Sequence, residues 1–121
     1  MANTFKVVTF AAEPNSAGTP YVVYTAGSGV TVVVLGLILT NIHTAQVTAE
    51  VELVSDTSNR GGSNDVANGT AFLAKDIPIP VDSSVELLSG NKVVLEATDQ
   101  IRIDCSVADK LSGSLSIMEI T

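Results

Sequence analysis

Apolar and polar side chains alternate along most of this chain, and that period of two constrains the fold more than any other feature. In AQVTAEVELV, Ala45, Val47, Ala49, Val51 and Leu53 share one face, while Gln46, Thr48, Glu50 and Glu52 share the other. QIRIDCSV repeats the pattern, setting Ile101, Ile103, Cys105 and Val107 against Gln100, Arg102, Asp104 and Ser106. Successive side chains point to opposite sides in an extended backbone, so each stretch predicts a half-buried β-strand. Further strands are predicted at Thr4–Phe10, Tyr21–Thr25, Val30–Leu39, Ala71–Lys75, Val85–Leu88, Lys92–Glu96 and Ser114–Ile120. Turn signals separate them at Asn15-Ser16-Ala17-Gly18, Ser89-Gly90-Asn91, Thr98-Asp99 and Ala108-Asp109-Lys110. No segment combines a 3.6-residue repeat with a cap at each end. About eight or nine short strands at this spacing predict one antiparallel β-sandwich, jelly-roll-like, over residues 1–121.

Three stretches depart from simple alternation. DIPIP, Asp76–Pro80, carries prolines two residues apart, which cannot both sit in a central ladder; it predicts an edge or an extended crossing between sheets. Ser55–Thr70 is a polar tract of 16 residues, expected to be a long loop. The third is VTVVVLGLIL, Val30–Leu39, eight of whose ten residues are Val, Leu or Ile. Counted by twos, Val33, Leu35, Leu37 and Leu39 lie on one side and Val32, Val34 and Ile38 on the other. The run is about half the roughly 20 residues a membrane helix needs, and Gly27-Ser28-Gly29 introduces it as a turn would. It therefore predicts a buried strand needing cover on both faces, from its own loops or from a second copy of the chain. Three extra Val or Ile side chains left in water would forgo roughly 1.5–3 kcal/mol each.

Composition narrows the function. The formal charge is −7, with six Lys and Arg in all, which argues against a nucleic-acid partner. The start, MANTFKVVTF, lacks the basic and apolar blocks of a signal peptide, and one cysteine cannot form an internal disulfide, so synthesis in a cytoplasm is expected. His43 is the single histidine, with no nucleophile motif around it, and reads as a surface or interface residue. Cys105 lies on the inward face of its strand and reads as core packing. One His and one Cys cannot build a zinc site. Asp56, Asp65, Asp76, Asp82, Asp99 and Asp104 are scattered and form no calcium loop, although Asp56 and Asp65 flank Asn59 and Asn64 in the long tract. Asn68-Gly69-Thr70 matches the glycosylation pattern without a secretory signal. There is no Trp, and Tyr21 and Tyr24 fall on opposite faces of one strand, so at most one can offer a platform to a sugar. No catalytic, cofactor-binding or metal-binding residue is assigned, and the expectation is a non-enzymatic module that works by shape and contact area.

From Tyr24 onward the order of motifs resembles small virion structural proteins of tailed bacteriophages, notably those infecting marine and freshwater cyanobacteria. The stretches that carry it are VYTAGSGVTVVVLGLILTNIHTAQVTAEVELV, FLAKDIPIPVDSSVELLSGNKVVLEATDQIRIDCSV and the ending SLSIMEIT, about three quarters of the chain. Ser55–Thr70 looks like an insertion relative to shorter members. The resemblance implies a capsid decoration or cement protein of the virion, made in the host cytoplasm, contacting the major capsid protein or other virion proteins. It implies a homo-oligomer, for which shell symmetry favours a trimer, and neither nucleic acid, membrane nor cofactor. Placement at the neck, tail or baseplate is the structural alternative; a host-glycan-binding module using Ser55–Thr70 is the alternative of another class. Expected contact elements are that tract, the N-terminal arm Met1–Phe10, able to add to a neighbour's sheet edge, and the DIPIP edge.

Overall fold

A computed structural model describes residues 2–55, 69–88, 90 and 92–121 of the chain. Among these residues all regular structure is β: β1 (Asn3–Glu13), β2 (Tyr21–Thr25), β3 (Thr31–Asn41), β4 (Val47–Ser55), β5 (Gly69–Ile79), β6 (Ser84–Leu87), β7 (Val93–Leu95), β8 (Gln100–Cys105) and β9 (Leu111–Ile120). The first sheet has the order β1-β9-β3-β6, with β7 also paired to β3; the second has the order β2-β8-β4-β5. Every pairing is antiparallel. β6 lies against Leu37–Thr40 and β7 against Val32–Val34, so the two fill one strand position end to end. Counted that way, two four-stranded sheets with chain crossings between them form the jelly roll that the strand spacing predicts.

The ribbon Val30–Leu39 becomes β3, flanked by β9 on one side and β6 and β7 on the other. Its register against β9 shifts between Val34 and Gly36, and a β-bulge of this kind resets the in-and-out alternation. Val32, Val34, Leu37 and Leu39 consequently all point inward and are fully buried. Val33, Leu35 and Ile38 are left on the outer face. The strand is thus covered on one side by the sandwich core, and the count by twos holds only up to the bulge. Burying four such side chains contributes roughly 6–12 kcal/mol at 1.5–3 each, comparable to the whole net stability of a domain.

On the second sheet the alternation holds as read: Val47, Ala49 and Val51 of β4 and Ile101, Ile103 and Cys105 of β8 are buried in the same apolar cluster as β3. A bulge between Val22 and Tyr24 alters β2, so that Tyr21 sits opposite Ile103 and Tyr24 opposite Ile101. Both tyrosines therefore pack on the core side, not on opposite faces; Tyr21 meets Phe10 with ring centroids 5.9 Å apart. Gly113 lies beneath Phe10 because nothing larger fits. A Cβ there would overlap the Ile38 carbonyl oxygen and stand 2.6 Å from Phe10 Cζ.

DIPIP joins the preceding strand. Ile77–Ile79 continue β5, with Pro78 opposite Thr48, and Asp76 takes up a left-handed backbone (φ 51°) where the register with β4 is irregular. As expected from its prolines, this is an edge: β5 closes the second sheet. Of the other flanking strands, β2 has five residues and a bulge, β6 and β7 have four and three, and β1 has eleven, as β5 does.

Side chains also tie the layers. Asn41 is 2% exposed at the end of β3, where its Nδ2 donates to the carbonyls of Ala45 (2.9 Å), Ile79 (2.9 Å) and Pro80 (3.2 Å), and its Oδ1 accepts from the His43 amide (2.7 Å). One residue thereby joins the β3–β4 turn to the end of β5. At the other end, Glu119 of β9 pairs with Lys6 of β1 at 2.8 Å and accepts from the Tyr24 hydroxyl of β2.

Candidate contact surfaces

The two outer faces of the sandwich differ sharply. On the first sheet, cross-strand register aligns Val94 of β7, Val33 of β3, Met118 of β9 and Phe5 of β1 in one row across four strands. Phe5 is 71% and Val94 52% exposed. Next to this row lie Val7 at 63% and, beyond the bulge, Ile38 at 43%. The remaining outward positions on β9 are Ile120 and the serines Ser112, Ser114 and Ser116, each opposite a residue of β3. In the centre, Gly36, Ser114 and Ser116 present so little bulk that a depression of about 260 Å³ opens, bounded by Leu35, Ile38 and Glu86. Glu86, paired with Ile38, is the one charged residue among those the register places on this face.

Charge gathers instead on the second sheet. Arg102 donates from Nε (3.1 Å) and Nη2 (2.6 Å) to one oxygen of Glu52, which is nearly buried beneath it. Lys75 bonds Glu50 at 3.0 Å, reaches Asp76 at 3.8 Å and lies 4.6 Å above the Phe72 ring. The Lys75 pairs, on an exposed ammonium, add little stability each. They do make this face strongly hydrated.

No catalytic constellation emerges from the described residues. His43 is half-buried in the β3–β4 turn, held through its backbone. Cys105 is buried, and burial pushes its thiol above the ordinary range, opposite to what a nucleophile needs. A depression of about 320 Å³ is lined by Glu50, Asp76 and Asp104 among others. Its carboxylates are already engaged: Asp104 Oδ1 accepts from the amides of Gly18 (3.2 Å) and Cys105 (2.8 Å), while Lys75 serves the other two. Among the described residues no three His, Cys, Asp or Glu side chains converge for a metal ion, and no helix is long and apolar enough to cross a membrane.

The three expected contact elements separate. Residues 56–68 of the polar tract, with Asp56, Asp65 and Asn68, lie outside the described residues. The N-terminal arm is β1, paired along β9 of its own chain. Its first half is nonetheless bare, since Asn3 to Val7 are all exposed. DIPIP is the protected edge described above. The outer face of the first sheet, of which the sequence pointed only to β3 and the arm Met1–Phe10, is assembled from strands far apart in the chain and has no contiguous signal in it.

No protein-family model matches the chain, and no curated protein matches it in sequence. Among solved structures, a chain from the structure of infectious bursal disease virus, Gx strain, is similar with a TM-score of 0.52 and 14% sequence identity. The match covers 98% of this chain and 33% of that one, so this chain spans a third of its length. At that identity the likeness shows the fold alone.

Proposed function

We propose that this chain is a structural component of a virus particle: a decoration or cement protein on the capsid of a tailed bacteriophage, acting through contact area without catalysis. The observation that carries the reading is the nearly uncharged apolar outer face of the first sheet. Isolated soluble proteins seldom leave a contiguous face of this kind in water, and it marks a protein that works in an assembly. The jelly-roll order supports it, as do the fold likeness to a chain from a virus structure and the sequence resemblance to phage virion proteins. Many copies on a shell multiply a modest contact at each one, so the protein needs area and rigidity more than reactive groups. The inward turn of Tyr21 and Tyr24 takes those two rings away from a sugar-facing surface, and residues 56–68, on which a glycan-binding reading relies, lie outside the described residues.

Quantitative mass spectrometry of purified particles tests this. Hundreds of copies, together with rebinding of purified protein to stripped shells, is the expected result. Single or double-digit copies would move the chain to the neck, tail or baseplate, and its absence from particles would overturn the virion reading altogether.

A further inference from the structure

We infer that the outer face of the first sheet pairs with the same face of a second copy of this chain, about a twofold axis near Ser116. This goes beyond the virion reading and does not depend on it.

Charge identifies the occupant. A chain carrying −7 repels its own copies over most of its surface. The face bearing Phe5, Val33, Ile38, Val94 and Met118 is the one where two copies can meet with the fewest carboxylates in the contact: Glu86 stands at the rim of the depression, and Glu96, just past β7, is bonded to the Thr31 hydroxyl at 3.2 Å. On the other outer face the same meeting would strip water from Glu50, Asp76, Lys75 and Arg102 together, at heavy desolvation cost.

Shape points the same way. A twofold contact needs knob and hole on the same face, because each copy supplies both. Phe5 and Val7 project from the outer strand β1, and the hollow at Gly36, Ser114 and Ser116 lies between β9 and β3, one to two strands away. Gly36 has open space above it, with no atom within 4 Å of where a Cβ would be. A twofold between knob and hole seats each copy's Phe5 toward the other's hollow. Four strands about 4.8 Å apart and about 30 Å long give roughly 600 Å² per copy. The pair then buries about 1,200 Å², the lower end of stable specific interfaces. A trimer, favoured by shell symmetry alone, would need a second, different patch to receive this face.

Sedimentation velocity of the full chain from 1 to 100 µM is the test. A dimer of twice the 12.5 kDa chain mass is expected. Phe5→Glu and Ile38→Lys should each weaken association at least tenfold while leaving the far-ultraviolet circular dichroism unchanged, and Phe72→Glu, on the opposite face, should leave it intact. Ser116→Cys should yield a disulfide-linked dimer under mild oxidation, a readout that keeps the native face and does not rely on charged variants folding. A monomer at 100 µM, equal sensitivity to Phe72→Glu, or cross-linking at Thr48→Cys in preference to Ser116→Cys would overturn the pairing.

Discussion

Replacing Asn41 should unsettle the sandwich more than any other single polar substitution, for a reason visible in its four hydrogen bonds. Its Nδ2 serves three carbonyls and its Oδ1 one amide, at a site 2% exposed. Asn41→Ala removes all four and leaves the Ile79 carbonyl without this donor in a buried setting. Each net bond contributes about 1 kcal/mol, and a buried group left unpaired costs about 1–3. The sum, with water recovering the more open partners Ala45 and His43, is about 3–4 kcal/mol. For a domain whose net stability is about 5–15 kcal/mol, that lowers the melting temperature by about 10–15 °C. Urea titration followed by circular dichroism should show the midpoint falling with the slope m unchanged. Asn41→Asp should be worse at neutral pH, because a carboxylate would face three carbonyl oxygens, and should recover part of the loss on acidification, when its proton can be donated. A loss below 1 kcal/mol for Asn41→Ala, or an Asp variant as stable as wild type at pH 7, would refute the assignment of Asn41 as the joint between turn and strand.

Other outcomes follow from neighbouring features. Gly113→Ala should cost about 3 kcal/mol or more by overpacking, and trimming Phe10 should not rescue it, because the obstructing Ile38 carbonyl is backbone; a mild, rescuable effect would contradict the packing. Lys6 and the Tyr24 hydroxyl hold the Glu119 carboxyl below the usual carboxylate range, so this cluster stabilises the fold at neutral pH and its contribution fades as pH falls through the lowered folded value. Glu119→Gln should flatten the acid limb of a stability–pH profile. Burial, then Glu119, pushes the Tyr24 phenol above its ordinary range, so stability from that group is full below about pH 10 and declines above it; Tyr24→Phe should flatten the alkaline limb. Cys105 should react with a thiol reagent only at the rate of global opening, and fast modification of the folded protein would show the core to be looser than described.

How far the chain could be read in advance depended on whether the feature was local. Alternation in β4 and β8 exposed the inner faces directly, because each residue's side is set by its own neighbours. The prolines of DIPIP announced an edge through a missing donor, another property of the residue itself. The bulges at Val34–Gly36 and Val22–Tyr24 were illegible. An extra residue in one strand is defined only against its partner, and β9 and β8 are about 80 residues further along. Missing the first put Leu37 and Leu39 on the face of Val33 and Leu35, although β3 is apolar on both faces as read, and missing the second placed Tyr24 on the wrong side. Asn41 gave a faint signal, a lone amide directly after an apolar strand, but its acceptors at Ile79 and Pro80 are supplied from 38 and 39 residues away. The row from Val94 to Phe5 was the least accessible, being a product of three registers at once.

The unequal flanks of the sandwich limit what happens if copies ever join backbone to backbone. Pro78 withholds an amide hydrogen and Asp76 bends the ladder on β5, while β2, β6 and β7 are too short to template a long partner. Among the described residues that leaves β1, and the part of β5 before Asp76, as extended borders. A β1 border that pairs with the same border of one sister has nothing left there to offer a third. Strand-by-strand growth through β1 alone would therefore stop at two, and the proline and the bend in β5 shorten what the opposite border can add.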